Sequence, residues 1–250
     1  MSPKTTSPKS VRGSTGEAGK MDGRLVRLSK KMSWLLRHGA GEAGVKMAPD
    51  GTVSVEDMMK AKGFGGFLLQ DVLDVVENND KKRFVLLGGE GGTGEALRIR
   101  AQQGHSSKVA AGVKEELMLE RLEEAPEVCI HGTKLSLWET IKEEGLKTMG
   151  RAHVHFTTLS KPQEQAAVSG FRKSCDLLIH LDAARAMADG CAFFKSGNGV
   201  VLSSGWGGVI PSGYFGRVTT VTGEELAWKR PPPAPPAVSG AAGGAGKDKE

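Results

Sequence analysis

Arg37 and His38 stand side by side where an apolar stripe ends, in the stretch "SWLLRHGAG". A guanidinium beside an imidazole can grip a phosphate: Arg offers a planar fork to the oxyanion, and His donates or shuttles a proton near neutral pH. The same pair can simply end a helix, because cations at a helix C-terminus interact favourably with the macrodipole by roughly 0.3–1 kcal/mol each. One substitution separates the two readings. Capping tolerates Lys at position 37, whereas a bidentate grip does not, since an ammonium cannot reproduce the fork.

Other residues invite the same question. Arg83, in "NNDKKRFVL", opens an expected strand and reads either as part of a solvated basic cluster or as a site residue. Arg151 directly precedes "AHVHF", where His153 and His155 are spaced i, i+2 and so point to one face of a strand. A metal would require a further ligand of matching kind, and nothing nearby supplies one, so no metal is expected. His131 lies in "IHGT", where a strand gives way to a loop. It is either a hydrogen-bonded core histidine or, with Gly132 allowing close backbone approach, the neighbour of a flat ligand. His105, in "AQQGHSS", likewise joins polar groups to a glycine, and an ordinary loop has the same composition. The Gly-rich run "GGEGGTGE" lacks the Lys-Ser/Thr of a phosphate loop and leads into a strand rather than a helix, so it reads as a hairpin loop.

The elements that must carry these residues fall into two regimes. From Leu25 to about Val109 the pattern is three helices and a hairpin. Leu25, Leu28, Met32, Leu35 and Leu36 lie at helical spacing, with Gly39 placed to cap the C-terminus. "SVEDMMKAKG" predicts a second helix with Ser54 as N-cap and Asp57 three residues on. "FLLQDVLDVVENN" predicts a third, with Leu68, Val72, Val75 and Val76 on one face. "KRFVLL" and "ALRIRAQ" read as paired strands. Three helices followed by a two-stranded hairpin is the order of a winged helix, a fold that does not by itself specify function. From about Pro126 the pattern becomes α+β. "EVCIHGT" and "AHVHFTT" read as strands, "LSLWETIKEEG" and "PQEQAAVSGF" as helices, "CDLLIHLDAARAM" as a strand into a helix, and "AFFKSGNGVVLSS" as a hairpin. The seam between the two lobes is expected near residues 108–126.

The whole chain sets the bounds. It has 250 residues, enough for one large or two small domains, and no apolar run long enough to span a bilayer. Residues 1–24 are rich in Ser, Gly, Pro and Lys without an apolar core, so they read as a disordered tail and not a secretory signal. The C-terminal "KRPPPAPPAVSGAAGGAGKDKE" reads as a second such tail. Cys129, Cys175 and Cys191 are far apart and odd in number, which argues against a disulfide framework and for a reducing, intracellular compartment, cytoplasm or nucleus. A net charge of +5 is a mild bias toward polyanionic partners.

Taken in order, "LSKKMSWLLRHG", "ENNDKKRF", "IRAQQGHS", "IHGT", "GRAHVHF" and "FFKSGNGVVL" resemble the NAD-dependent tRNA (RNA) 2′-phosphotransferases. The resemblance covers roughly Leu25 to Phe215 and departs in the length of the Gly-rich insertion at residues 88–94. It implies an α+β protein with a winged-helix-like, RNA-binding lobe over residues 25–115 and an ADP-ribosyltransferase-fold, NAD-binding lobe over residues 116–222. Tails at 1–24 and 223–250 would flank them. It implies a monomer, with no membrane partner, that removes an internal splice-junction 2′-phosphate from tRNA using NAD as co-substrate. Arg37, His38, Arg83 and Arg151 match the family's catalytic quartet. His131, Gly132, Thr133, His153, His155, Ser196 and Asn198 match its NAD-binding positions, and Lys81 and His105 its RNA- or phosphate-binding ones. A winged-helix RNA binder with an inert second lobe shares these features. So does an ADP-ribosyltransferase acting on nucleic-acid ends or protein side chains.

Overall fold

The computed structural model describes residues 22–88, 96–161 and 171–233. The Gly-rich insertion, the expected helix in "PQEQAAVSGF" and the outer parts of both tails lie outside the described residues.

Helix α1 (Gly23–Trp34) starts where the Asp22 carboxylate accepts the Leu25 N–H at 2.8 Å. Its apolar stripe buries Leu28, Met32, Leu35 and Leu36 completely. The helix does not stop at Gly39 with a left-handed cap. It continues through a widened, π-type turn over Leu35–Gly39, and the chain first turns left-handed at Gly44. Gly39 is needed for a different reason: the Trp34 ring lies against it, so a Cβ there would sit 2.3 Å from the ring. Helix α2 (Val55–Lys60) is capped as its sequence predicts, with the Ser54 hydroxyl accepting the Asp57 N–H. Helix α3 (Leu69–Glu77) buries Val72 and Val75, but Leu68 precedes the helix and is exposed. There the Asp71 carboxylate accepts the Leu68 N–H and pairs with Arg24.

Strands β1 (Val53–Ser54), β2 (Phe84–Leu87) and β3 (Arg98–Ala101) form an antiparallel sheet with β3 in the centre. The edge strand β1 is too short to show alternation in the sequence. This sheet closes a core with the three helices in which Met58, Phe64, Val75 and Ile99 are buried.

The second half has its own core. A short helix, α4 (Ser107–Ala110), leads to β4 (Leu119–Arg121), β5 (Ile130–Thr133) and α5 (Trp138–Glu144). Then follow β6 (Leu146–Lys147), β7 (Val154–Phe156), β8 (Leu177–Leu181), α6 (Ala183–Ala188), β9 (Phe194–Ser196), β10 (Val201–Ser203), β11 (Val209–Ile210) and β12 (Phe215–Thr220). One sheet runs β12-β8-β5 and another β4-β9-β10-β7. Reciprocal backbone bonds between Ile130 and Thr157 join β5 to the strand that follows Arg151. Phe156, Phe193, Tyr214 and Phe215 fill the interior with Cys129 and Cys191. The expected C-terminal tail at 223–250 is not wholly peripheral. Trp228 packs edge-on to Trp138 with centroids 5.2 Å apart, and Leu226 donates to the Val218 carbonyl.

Gly145 ends α5 with φ +79°, and a Cβ there would lie 2.5 Å from the Ile210 carbonyl oxygen. Both the backbone conformation and the contact exclude a side chain. Gly145→Ala is therefore expected to lose more than about 2 kcal/mol in urea unfolding, and a loss below about 0.5 kcal/mol would contradict this packing.

Candidate anion site

The segment Gly104–Ser107 joins the two halves beside the arginines. Ser106 donates its N–H to the Arg37 carbonyl (2.9 Å), and Ser106 and Arg151 form an antiparallel bridge. Ser107 donates its N–H to Gly150 and its hydroxyl to the Arg151 carbonyl (3.0 Å). Ala152 in turn donates to the His105 carbonyl. Gly104, at φ +86°, lets the Arg37 side chain lie against the backbone, since a Cβ would be 3.4 Å from the guanidinium carbon. Arg83 enters from β2: Gln102 donates to its carbonyl, and its own guanidinium donates to Asn79 Oδ1 at 3.1 Å.

Their charges report that the three guanidinium groups lie together. The pKa of Arg37 is pushed down to about 10, first by burial and then by the positive charges of Arg83 and Arg151. His38 is held below its ordinary value by partial burial, Arg37 and Arg151. Burial lowers Arg83, partly opposed by the Asp80 carboxylate, and burial and Arg172 lower Arg151. Among the described residues, none of the four arginines 37, 83, 151 and 172 has a carboxylate within ion-pair distance, and Arg37 Nε is buried without a partner. Like charges gathered without contact ion pairs, with a donor left over, suit an anion.

Arg151 also borders an open cleft of ≈ 400 Å³. His131, Gly132, Thr133, His153 and His155 line it, as does Arg172, which sequence reasoning missed because its neighbours "GFRKS" carry no periodic signal. No carboxylate lines this cleft, which suits an anionic ligand such as a dinucleotide pyrophosphate. His131 donates Nδ1–H to the His155 carbonyl at 2.9 Å, leaving the Nε2 lone pair as its acceptor. His155 donates Nε2–H to Gln103 Oε1 at 2.8 Å, and His153 pairs with Glu115 at 3.0 Å. Gln103 and Glu115 are partners that the motifs did not reveal.

Two expected site residues, Ser196 and Asn198, sit elsewhere, while Gly132 lines the cleft and also makes room for the Phe171 ring, 2.5 Å from where a Cβ would stand. Ser196 is buried and its hydroxyl serves the turn to Asn198 and Val200. Asn198 donates to the Lys81 carbonyl across the seam (2.9 Å), and Lys81 donates to the Phe171 carbonyl. Ser196 and Asn198 therefore fasten the β9–β10 turn to the first half and are not among the residues lining the cleft. His105 is buried in the seam within reach of the Arg37 and His38 charges, and its Nε2 has no partner among the described residues.

The fold and site define a two-part α/β protein with an arginine-lined anion site at its seam. The chain belongs to the RNA 2'-phosphotransferase, Tpt1 / KptA family, whose model matches residues 23–205. It is 42% identical over 183 residues to the protein named tRNA 2'-phosphotransferase 1 of Homo sapiens, covering 73% of this chain and 70% of that one. It is 39% identical over 208 residues to the Danio rerio protein of the same name, covering 82% and 91%. A Schizosaccharomyces pombe relative is 40% identical over 204 residues, and the match spans about half (53%) of that protein's length.

Two outcomes follow from the electrostatics. Removing one cation from an uncompensated cluster relieves repulsion, so Arg37→Met is expected to unfold at the parent's temperature or above. Inorganic phosphate should raise the melting temperature of the parent and not of the variant. The idea fails if the variant loses several degrees. The second outcome concerns pH. Burial and neighbouring cations push His105 to about 4 and His155 to about 3, against an ordinary 6.5. The folded state thus binds fewer protons than the unfolded chain. Stability is full above about pH 6.5 and is lost progressively as the pH falls toward those values. His155→Gln should flatten this acid slope when urea unfolding is compared at about pH 7 and pH 4.5.

Proposed function

We propose that this protein is an NAD-dependent RNA 2′-phosphotransferase that removes the internal 2′-phosphate left at a tRNA splice junction. The observation that carries the reading is the gathering of Arg83 and Arg151 about Arg37, beside His38 and without an ion pair to any of the three among the described residues, at the edge of a cleft suited to an anionic nucleotide. Family membership and the names of the relatives support the substrate. In this reading the first half is a winged-helix-like RNA-binding lobe and the second an ADP-ribosyltransferase-fold lobe. The chain acts inside the cell, and since one chain supplies every cation, the site needs no second copy.

The chemistry follows from charge. A phosphate monoester is close to a dianion at neutral pH, so it needs no general base to act as a nucleophile. The arginines hold it in line with C1″ of the nicotinamide ribose, which turns binding into orientation. A phosphate oxygen forms a bond to C1″ as the bond to nicotinamide breaks, and the leaving group takes the bonding pair. The ribose O2″ hydroxyl then attacks phosphorus, releasing its proton to solvent, and the P–O bond to the RNA breaks. The RNA leaves with a 2′-OH, and ADP-ribose 1″,2″-cyclic phosphate is the other product. Negative charge grows around phosphorus in this second step, and the same cations oppose it.

The His38 side chain reaches solvent, and partial burial and then the charges of Arg37 and Arg151 hold it below its ordinary pKa. A dianion between them reverses that field and favours the imidazolium. His38 thereby gains its proton as the phosphate arrives, and can give it to the departing RNA oxygen in the second step.

The direct test supplies NAD and a 2′-phosphorylated oligonucleotide and follows nicotinamide, RNA and phosphate. The wild type should release nicotinamide and a cyclic phosphate. Arg37→Lys and Arg151→Ala should each lose about 10²–10³ in rate with little change in melting temperature. No nicotinamide release would point to a binder. A stable ADP-ribosylated RNA end would point to end modification.

A further inference from the structure

One carboxylate reaches the cleft wall from behind. Glu115 opens a single turn, Glu115–Leu117, that is tied to the first half: Lys114 donates its N–H to the Pro49 carbonyl, and the Leu117 carbonyl accepts from Arg100 at 3.0 Å. The Glu115 carboxylate meets His153 Nε2 at 3.0 Å. His153 lines the cleft and also, with Glu115, a small cavity behind it, and no other residue lines both. Among the described residues, Asp176 and Glu144 pair with the cleft lysines Lys134 and Lys147, and Glu115 is the carboxylate that pairs with a cleft histidine. His131 and His155 donate instead to a carbonyl and an amide oxygen. The remaining His153 nitrogen, Nδ1, is not one of the enclosed, unpartnered polar atoms of the described residues.

We propose that Glu115 is a positioning residue for the second step: by accepting the Nε2–H of His153 it keeps the Nδ1 lone pair of that ring on the cleft side, where Nδ1 takes the proton of the ribose O2″ hydroxyl. The inference rests on the phosphotransferase reading above and adds the base that its second step needs. The O2″ hydroxyl loses its proton as it attacks phosphorus, and the guanidinium groups around the phosphate have no acceptor to offer. His38 is already committed, since it gives a proton to the departing RNA oxygen in the same step. A neutral imidazole protonated on Nε2 has its lone pair on Nδ1, and a carboxylate on the far nitrogen stabilises the imidazolium that forms. In that step the O2″–H bond breaks and the proton goes to Nδ1, while an O2″ electron pair forms the bond to phosphorus. The P–O bond to the RNA breaks, and the RNA oxygen takes the His38 proton. The His153 hydrogen bond holds the Glu115 carboxyl below the usual carboxylate range against burial, with the His153 and His105 charges adding to it, so Glu115 is ionised at neutral pH. Its side chain is 37% exposed, which gives the pair a way to return the proton to solvent on the side away from the cleft.

Single-turnover kinetics of the full chain, with saturating NAD and a 2′-phosphorylated oligonucleotide, separate the two steps. Nicotinamide release reports the first, and conversion of the RNA–phosphate–ADP-ribose species to cyclic phosphate reports the second. Glu115→Gln keeps the size of the side chain and removes the charge that holds the imidazolium. Its nicotinamide release should stay within about twofold of the parent while its second step slows about 10²-fold, so that the joined species accumulates. His153→Gln should slow the same step at least as much. Adding Glu115→Gln to it should cost less than about twofold more, because one residue acts through the other. Equal slowing of both steps in Glu115→Gln, a second step that keeps its rate, or independent losses in the double variant would overturn the assignment. Should Glu115→Gln melt below the assay temperature, His153→Gln decides by the same comparison of the two steps. If the phosphotransferase reading itself is at fault, the parent releases no nicotinamide and forms no cyclic phosphate.

Discussion

The arrangement depends on a repulsion that the fold sustains. Arg83 and Arg151 are brought to Arg37 without a contact ion pair to any of the three among the described residues, and Arg37 is pushed down to about 10 while remaining protonated at neutral pH. At short range and partial burial, such like-charge contacts cost on the order of kcal/mol each. Ion pairs would remove that cost and also neutralise the site. The protein instead holds the cations through backbone hydrogen bonds: Ser106 to Arg37, Ser107 to Gly150, Gln102 to Arg83. Those bonds fix position without altering charge, so the guanidinium groups stay available to an incoming anion.

This explains why the site lies at a seam. A single helix end could place two cations, as the widened turn at Leu35–Gly39 does, but a third and fourth on the same element would repel along it. Drawing Arg83 from a strand of the first half and Arg151 from a turn of the second lets each be anchored by its own core. The seam is then closed by neutral contacts: His155 with Gln103, Asn198 with the Lys81 carbonyl. Histidines suit these positions because the arginine field and burial keep them uncharged. His105 and His155, near 4 and 3, stay neutral and add nothing to the repulsion at neutral pH, and His155 holds Gln103 across the seam.

How much of this was legible in the sequence follows from the range of each interaction. Helix α2 was legible with its cap because Ser54 and Asp57 are three residues apart. The β9–β10 hairpin was legible because its turn residues are contiguous. Arg37, His38, Arg83 and Arg151 could be nominated individually by residue type and by their places at element ends, but a list of cations does not show that they meet. Long-range contacts stayed hidden. Gly39 resembles a cap until Trp34 is seen against it, and nothing near Gly132 in the sequence shows that the Phe171 ring packs on it. Gln103 and Glu115 are ordinary polar residues in sequence and become partners only when the strand carrying His153 and His155 meets the first half. Trp228 sits in a Pro-rich context that reads as a tail, and only the Trp138 ring shows otherwise.

The same field bears on the order of events. An imidazole beside two guanidinium groups is a poor base-to-acid converter while the site is empty, since its protonation adds to the repulsion. A phosphate dianion changes the sign of that interaction, so proton uptake by His38 and anion binding are linked and each favours the other. In the proposed reaction, protonated His38 would then face a phosphate already gripped, which would make premature proton release to solvent unfavourable. Replacing the arginines one at a time would weaken not only the grip but also the signal that charges the histidine, and this is why the dyad has to be read as a unit with Arg151 rather than as the end of a helix.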